Sequence, residues 1–245
     1  MAQRRACVTG GSRGIGRAIA AALVEADCHV TILGRTLASL DDAIAAGHAH
    51  AAEAIDVADS ERLREVVGAG GFDILVNNAG GAETGTFARS DADRFRRQFE
   101  LNVVSAAEAS RAALPAMLER GHGRIINVAS TAGLKGYALV SAYVTAKHAL
   151  VGLTRALAVE LARTGVTVNA ICPGYTDTDL IAASVDTIVA RTAKSAAEAR
   201  AHFEGANPMG RLMRPEEVAQ AAVWLAHSLS AGVTGQCVAI AGGEV

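Results

Sequence analysis

Short apolar runs alternate with longer stretches of helical periodicity along the whole chain. Ala6–Thr9, His29–Leu33, Ala51–Ile55, Phe72–Val76, Arg124–Val128, Val166–Ile171 and Cys237–Ile240 read as strands. The periodicity predicts helices over Arg17–Ala26, Thr36–Ala46, Ser60–Ala69, Ala142–Arg163 and Pro215–Ala226. Asp91–Glu119 reads as one long helix or two joined, and Asp179–Phe203 as a polar, Ala-rich helical stretch. Repeated strand–helix alternation requires right-handed crossovers and a parallel sheet. The predicted class is α/β: a single-domain, doubly wound parallel sheet of about seven strands, with helices on both faces. No linker, repeat or composition break divides the chain, so residues 1–245 read as one domain. In such sheets the ligand lies beyond the carboxyl ends of the strands. GGSRGIG, GRT, DVAD, NNAG, NVAS and CPGY all fall at such ends.

Composition narrows the classes. Of 245 residues 51% are hydrophobic and only 4% aromatic, which suits aliphatic helices packed on buried strands. The net charge of −2 supplies no basic field for nucleic acid. Cys7, Cys28, Cys172 and Cys237 are scattered, and neither they nor the histidines have metal-ligand spacing. They read as reduced thiols, and no metal is expected. The N-terminus lacks the apolar stretch of a signal peptide, and no segment has the apolar length of a membrane span. The expected compartment is the cytoplasm.

The loop Thr9-Gly10-Gly11-Ser12-Arg13-Gly14-Ile15-Gly16 follows the first strand and opens the first helix. Gly10, Gly14 and Gly16 permit a tight turn that brings backbone N–H groups to a pyrophosphate, and the helix N-terminus adds favourable charge. The second strand ends Leu33-Gly34-Arg35-Thr36, without the acid that usually binds a ribose 2′-hydroxyl. Arg13 reaches toward the same corner. Two guanidiniums suit a 2′-phosphate, so NADP(H) is expected over NAD(H).

In Tyr143-Val-Thr-Ala-Lys147, helical spacing places the phenol and the ammonium on one face. Ser130 follows the strand Arg124–Val128. With TGGSRGIG, NNAG and CPG in order, the chain resembles the short-chain dehydrogenase/reductase family along essentially its whole length. The matching residues are Gly10, Gly14, Gly16, Asp56, Asn78, Ala79, Gly80, Asn102, Ser130, Tyr143, Lys147, Pro173, Gly174 and Thr178. The resemblance implies a Rossmann-like seven-stranded sheet, a dimer or tetramer, and a Ser–Tyr–Lys–Asn site. It also implies that Lys147 reaches the nicotinamide ribose and that Asn102 holds a water linking Lys147 to solvent. Asp56 and Val57 are expected at the adenine. Asn78, Ala79 and Gly80 are expected along the ribose side. Pro173, Gly174, Thr176 and Thr178 are expected at the nicotinamide amide, with Ser12, Arg13 and Ile15 completing the phosphate loop.

The residue types fit carbonyl–alcohol chemistry, which moves a hydride at carbon and a proton at oxygen. A free phenol titrates near ~10, and lowering it by roughly three units requires roughly 4 kcal/mol of differential stabilisation. Lys147 and an oxidised nicotinamide are the cations that would favour phenolate. Ser130 would donate a hydrogen bond to the substrate oxygen. His148 adjoins Lys147 but points away from it on a helix, and reads as structural.

Residues 179–209 read as a substrate lid, with Leu180, Ile181, Val185, Ile188, Val189, Phe203 and Met209 joined by Leu134, Leu139 and Val140 in an apolar pocket. Arg191, Lys194 and Arg200 are candidates for a CoA phosphate. The chain is most similar to the 3-oxoacyl-thioester reductases and 3-hydroxyacyl-CoA dehydrogenases of the family. Thr164 stands before Gly165, where carrier-protein reductases often have a basic residue, which favours a CoA ester or a free cyclic ketone over an acyl-carrier-protein thioester. The alternatives are an NAD(H)-dependent dehydrogenase of a small or cyclic alcohol, and a cofactor-binding regulator without turnover. A homotetramer is expected. Leu150, Leu153, Leu157 and Leu161 would face the sheet. Ala146, Ala149, Val151, Ala156, Ala158 and Val159 would meet a second copy together with Ala106–Ala113, and Ala241–Val245 would form a second contact.

Overall fold

The computed structural model describes residues 3–245. Seven parallel strands form one sheet: β1 (Arg4–Thr9), β2 (Cys28–Gly34), β3 (Ala51–Ala54), β4 (Ile74–Asn77), β5 (Gly123–Val128), β6 (Val166–Pro173) and β7 (Cys237–Ile240). Their order is β3-β2-β1-β4-β5-β6-β7. The winding direction switches between β1 and β4, and that switch opens a crevice at the carboxyl ends.

Side chains alternate across each strand, and this divides the core into two layers. On one face Ala6, Val8, Ile32 and Ile126 pack beneath Ile19 and Leu23 of α1 (Gly14–Glu25), Leu40 of α2 (Leu37–Ala45), and Val218 and Leu225 of α9 (Pro215–Ala226). On the other, Cys7, Leu75, Ile125 and Val168 meet Leu63 and Val67 of α3 (Ser60–Gly70) and Met117 of α5 (Ser105–Arg120). Leu161, just past α6 (Ser141–Glu160), completes that layer.

Two predicted helices are interrupted. Asp91–Glu119 divides into α4 (Ala92–Phe99), a π-helical turn (Glu100–Val104) and α5. Such a turn admits an extra residue into a helix and is frequent at functional sites; here it carries the buried Asn102. Asp179–Phe203 divides into α7 (Asp179–Arg191) and α8 (Ala196–Glu204). The break follows from a capping box in which Ser195 Oγ accepts from Glu198 N while the Glu198 carboxylate accepts from Ser195 N. The α7–α8 segment keeps a small cluster of its own, Ile181, Phe203 and Leu212, flanked by Tyr175, Val185 and Ile188.

The face of α6 assigned to a second copy is smaller than its sequence suggests. Ala146, Val151 and Ala158 are buried within the chain, while Ala156 and Val159 are exposed. Small residues at those buried positions let α6 sit close to its own neighbours. In α5, Ala106, Ala109 and Ala113 likewise face inward. At the C-terminus Ala241 is buried and Glu244 turns into the fold, leaving Gly243 and Val245 outward. Among the described residues no helix is long and apolar enough to cross a membrane.

Candidate active site

The first crevice wall is the loop between β1 and α1. Gly10 has φ +64°, and a Cβ there would stand 3.0 Å from Asn78 Nδ2 and 3.1 Å from Ala79 Cα. A Cβ at Gly16 would fall 2.2 Å from Gly10 O. Only glycine allows the loop to fold back this tightly. Thr9 Oγ1 accepts from the N–H groups of Asn78 and Ala79, both at 3.0 Å, and ties the loop to the end of β4. The Asn78 amide donates to Thr9 O and Gly10 O, so its side chain braces the glycine loop.

The N-cap residue of α1, Arg13, makes no side-chain cap. The first N–H groups of this helix are therefore open to an anion, the donor set that a pyrophosphate requires. Arg13 and Arg35 are exposed, and among the described residues neither lies in an ion pair. Ser12 Oγ accepts from Ser39 Oγ at 3.1 Å. Ile15 is partly buried against the core of that face. Asp56 caps its own turn through Ala58 N, and Val57 is buried beneath it. The residues present thus fit a dinucleotide laid from Asp56 across the glycine loop.

The second wall joins α6 to the ends of β4 and β5. Lys147 is 4% exposed, and its Nζ donates to Val128 O at 2.9 Å. It lies 5.6 Å from the centre of the Tyr143 ring. A Cβ at Gly80 would stand 2.7 Å from Asn102 Oδ1 and 3.5 Å from Lys147 Nζ, so these three residues converge. The Asn102 amide donates to Gln98 O and Gly81 O, and its Oδ1 accepts from Gly81 N. The π turn thereby fixes Asn102 against the Gly80–Gly81 segment. Ser130 Oγ accepts from Ala132 N at 3.0 Å and heads the short turn Thr131–Gly133.

Within the chain itself, burial governs the two titratable groups. Burial pushes Tyr143 up, and contact with the Ser130 hydroxyl only partly opposes it. Burial pushes the Lys147 ammonium down to about 8. Both shifts arise chiefly because burial disfavours the charged form of each group.

The third wall is the turn after β6 and the α7–α8 segment, the expected lid. Thr176 Oγ1 donates to Gly174 O, and Thr178 Oγ1 to Thr176 O. The Thr178 side chain lies 3.4 Å from where a Gly14 Cβ would be, which brings the start of that segment onto the glycine loop. Ile181 and Phe203 are spent on the segment's own cluster, whereas Leu139, Leu180, Val189 and Met209 are exposed. Arg200 pairs with Asp177 and Glu204 and is not free for a phosphate. Arg191 and Lys194 are exposed.

Sequence reading passed over Lys135, Tyr137, Tyr175 and Glu244. Glu244 contacts Lys135 and Tyr137, and Tyr175 stacks edge-on with Tyr137 at 6.2 Å and with Phe203 at 5.1 Å. The one available signal was scarcity: the chain has only three tyrosines, and two of them, Tyr137 and Tyr175, stack together.

A doubly wound sheet with an open glycine loop and a Ser–Tyr–Lys–Asn cluster at its carboxyl ends defines an NAD(P)-dependent oxidoreductase acting on CH–OH groups. A family model for short chain dehydrogenases matches residues 4–188, and the chain belongs to that family. It is 37% identical to nodulation protein G of Azospirillum brasilense over 253 aligned residues, covering 99% of this chain and 98% of that one. It is 35% identical to D-beta-hydroxybutyrate dehydrogenase of Cupriavidus necator, with 99% and 98% covered. The solved structure of actinorhodin polyketide ketoreductase with NADPH superposes with a TM-score of 0.92 at 34% identity, covering 99% of this chain and 97% of that one.

Proposed function

We propose that this chain is an NADPH-dependent reductase of a ketone, with a 3-oxoacyl-CoA thioester or a cyclic ketone as substrate. The observation that carries the reading is the convergence of Tyr143, Lys147, Asn102 and Gly80 beside a glycine loop whose helix end is open. The nicotinamide, when bound, exchanges the hydride. Tyr143 gives its proton to the substrate oxygen; burial keeps the phenol protonated, the state that reduction needs at the outset. Ser130 donates a hydrogen bond to the same oxygen as charge develops there. Lys147 returns a proton toward Tyr143, and Asn102 holds the Gly80–Gly81 segment beside it. Arg13 and Arg35, exposed and without carboxylate partners, take the 2′-phosphate of NADPH. The polyketide ketoreductase that superposes on this chain was solved with NADPH, which supports the same choice. Arg191 and Lys194 remain available for a CoA phosphate.

A second reading is oxidation of a small or cyclic alcohol with NAD. It is favoured by the relative named as a hydroxybutyrate dehydrogenase. Initial rates with NADPH and NADH against acetoacetyl-CoA and cyclohexanone, and with NADP and NAD against their alcohols, separate the two. Reduction with NADPH at least about tenfold more efficient than with NADH is expected; the opposite order would establish the second reading. We also propose a homotetramer with one contact on the exposed part of α6 with α4 and α5 and a second at the C-terminal end, where Gly243 and Val245 are exposed. A 25 kDa mass by light scattering, that of one chain, would rule it out.

A further inference from the structure

The C-terminal tail closes on the segment that runs from Ser130 to Tyr143. Glu244, the penultimate residue, has a side chain only 3% exposed. Its Oε1 accepts from the Tyr137 hydroxyl at 2.5 Å and lies 3.1 Å from Lys135 Nζ. Lys135 Nζ also donates to Glu244 O. The Tyr137 hydroxyl is in turn 2.7 Å from Thr131 Oγ1, and Thr131 directly follows Ser130. Burial and the adjoining carboxylate push Tyr137 up, so it stays a neutral donor.

The other carboxylate oxygen, Oε2, is buried and has no hydrogen-bond partner among the described residues. It packs on the turn after β6, where a Cβ on Gly174 would stand 3.0 Å away. A tail serving only to fill space would bury an apolar side chain there, since an unpaired buried carboxylate oxygen is unfavourable. A carboxyl group stands there instead, and its bonds go to the segment that spans the two proposed reacting hydroxyls.

We propose that Glu244 is a positioning residue: through Tyr137 and Thr131 it holds the Ser130 turn at the distance from Tyr143 that proton transfer requires. The inference rests on the proposed roles of Ser130 and Tyr143. Thr131 and Ala132 are buried, and the turn packs on α6. Within the turn Ser130 Oγ accepts from Ala132 N and Ser130 O from Gly133 N, and the Ser130 hydroxyl also contacts the Tyr143 phenol. On the far side Gly133 packs against Lys147 O, which fixes one edge alone. Tail, Tyr137 and Thr131 supply the opposing edge.

The test measures kcat, KM, NADPH affinity by nucleotide fluorescence and Tm for Glu244→Ala, Glu244→Gln, Tyr137→Phe and the Glu244→Ala/Tyr137→Phe double. The substrate is acetoacetyl-CoA or cyclohexanone, whichever the wild type reduces. A misplaced reacting group costs rate more than cofactor binding, so Glu244→Ala is expected to lower kcat about tenfold or more with NADPH affinity within about twofold. Tyr137→Phe should match it. The double should be no slower than either single, because both cut the same chain of bonds. Glu244→Gln, whose amide oxygen can still accept from Tyr137, should recover most of the rate. A Glu244→Ala kcat within twofold of wild type, or a double that falls by the product of the singles, would overturn the proposal. If Glu244→Ala fails to fold, Tyr137→Phe alone decides: unchanged kcat overturns it, and a tenfold loss that Glu244→Gln does not share supports it. A wild type that reduces no ketone would instead overturn the functional reading on which the proposal rests.

Discussion

The cofactor side and the substrate side of this crevice are built by different physics. The wall around Gly10 and Gly16 is fixed by the positive φ of Gly10, by a backbone contact at Gly16 too close for a Cβ, and by Thr9 and Asn78 bonds between adjacent strand ends. It stands on the core layer of Val8, Ile19 and Ile32, none of which is exposed. The wall formed by α7 and α8 stands on a three-residue cluster, Ile181, Phe203 and Leu212, and on ion pairs of Arg200 at the surface. Surface pairs of this kind contribute little. With α7–α8 as the proposed lid, a smaller local core there is the division expected of a gated site.

The largest test of this division acts on the seam between the walls. Tyr143→Phe should cut turnover roughly 10³-fold, within the range for losing a general acid. NADPH affinity should stay within a few-fold, since the cofactor wall is untouched. Activity within tenfold of wild type would show that the proton comes from elsewhere.

Lys147 tests the same seam through pH. Its folded value, about 8, lies below the unfolded value near 10.5. Between those values the unfolded chain binds the extra proton, so stability rises with pH across that window and is flat below it. The full difference is on the order of 3 kcal/mol, roughly 10²-fold in the folding equilibrium. Chemical denaturation at pH 7.5 and pH 10 should show the rise in wild type relative to Lys147→Met. Parallel curves for the two proteins would mean that the ammonium is solvated.

Arg35→Asp should alter the cofactor wall alone. A repelling anion in place of a guanidinium should lower the NADPH-to-NADH preference by about fifty-fold while leaving the ketone KM unchanged. Equal use of both cofactors by wild type would refute the assignment of Arg13 and Arg35.

Phe203→Ala should alter the substrate wall alone. Emptying the lid cluster should raise the ketone KM by about tenfold, with NADPH affinity unchanged and Tm lowered by only a few degrees, because a locally stabilised segment opens without the core. A collapse of Tm would show that the lid and the sheet form one cooperative unit.

What was legible in the amino-acid sequence is what depends on neighbours along the chain. The strand–helix alternation gives the sheet its strands, the glycine spacing gives the loop its turn, and the spacing of Tyr143 and Lys147 puts them on one face of α6. Each needs only a local period or a short motif. Even the α7–α8 break was written locally, as Ser195 followed by Glu198, and was overlooked. Three things needed the tertiary structure. The π turn at Asn102 arises because that side chain bonds Gly81, on a different element. The charge states of Tyr143 and Lys147 depend on how much water the packed fold removes, which no spacing reveals. Finally, Glu244 meets Tyr137 across 107 residues of chain, a contact that exists only because β6 and β7 bring the tail beside the Ser130 turn.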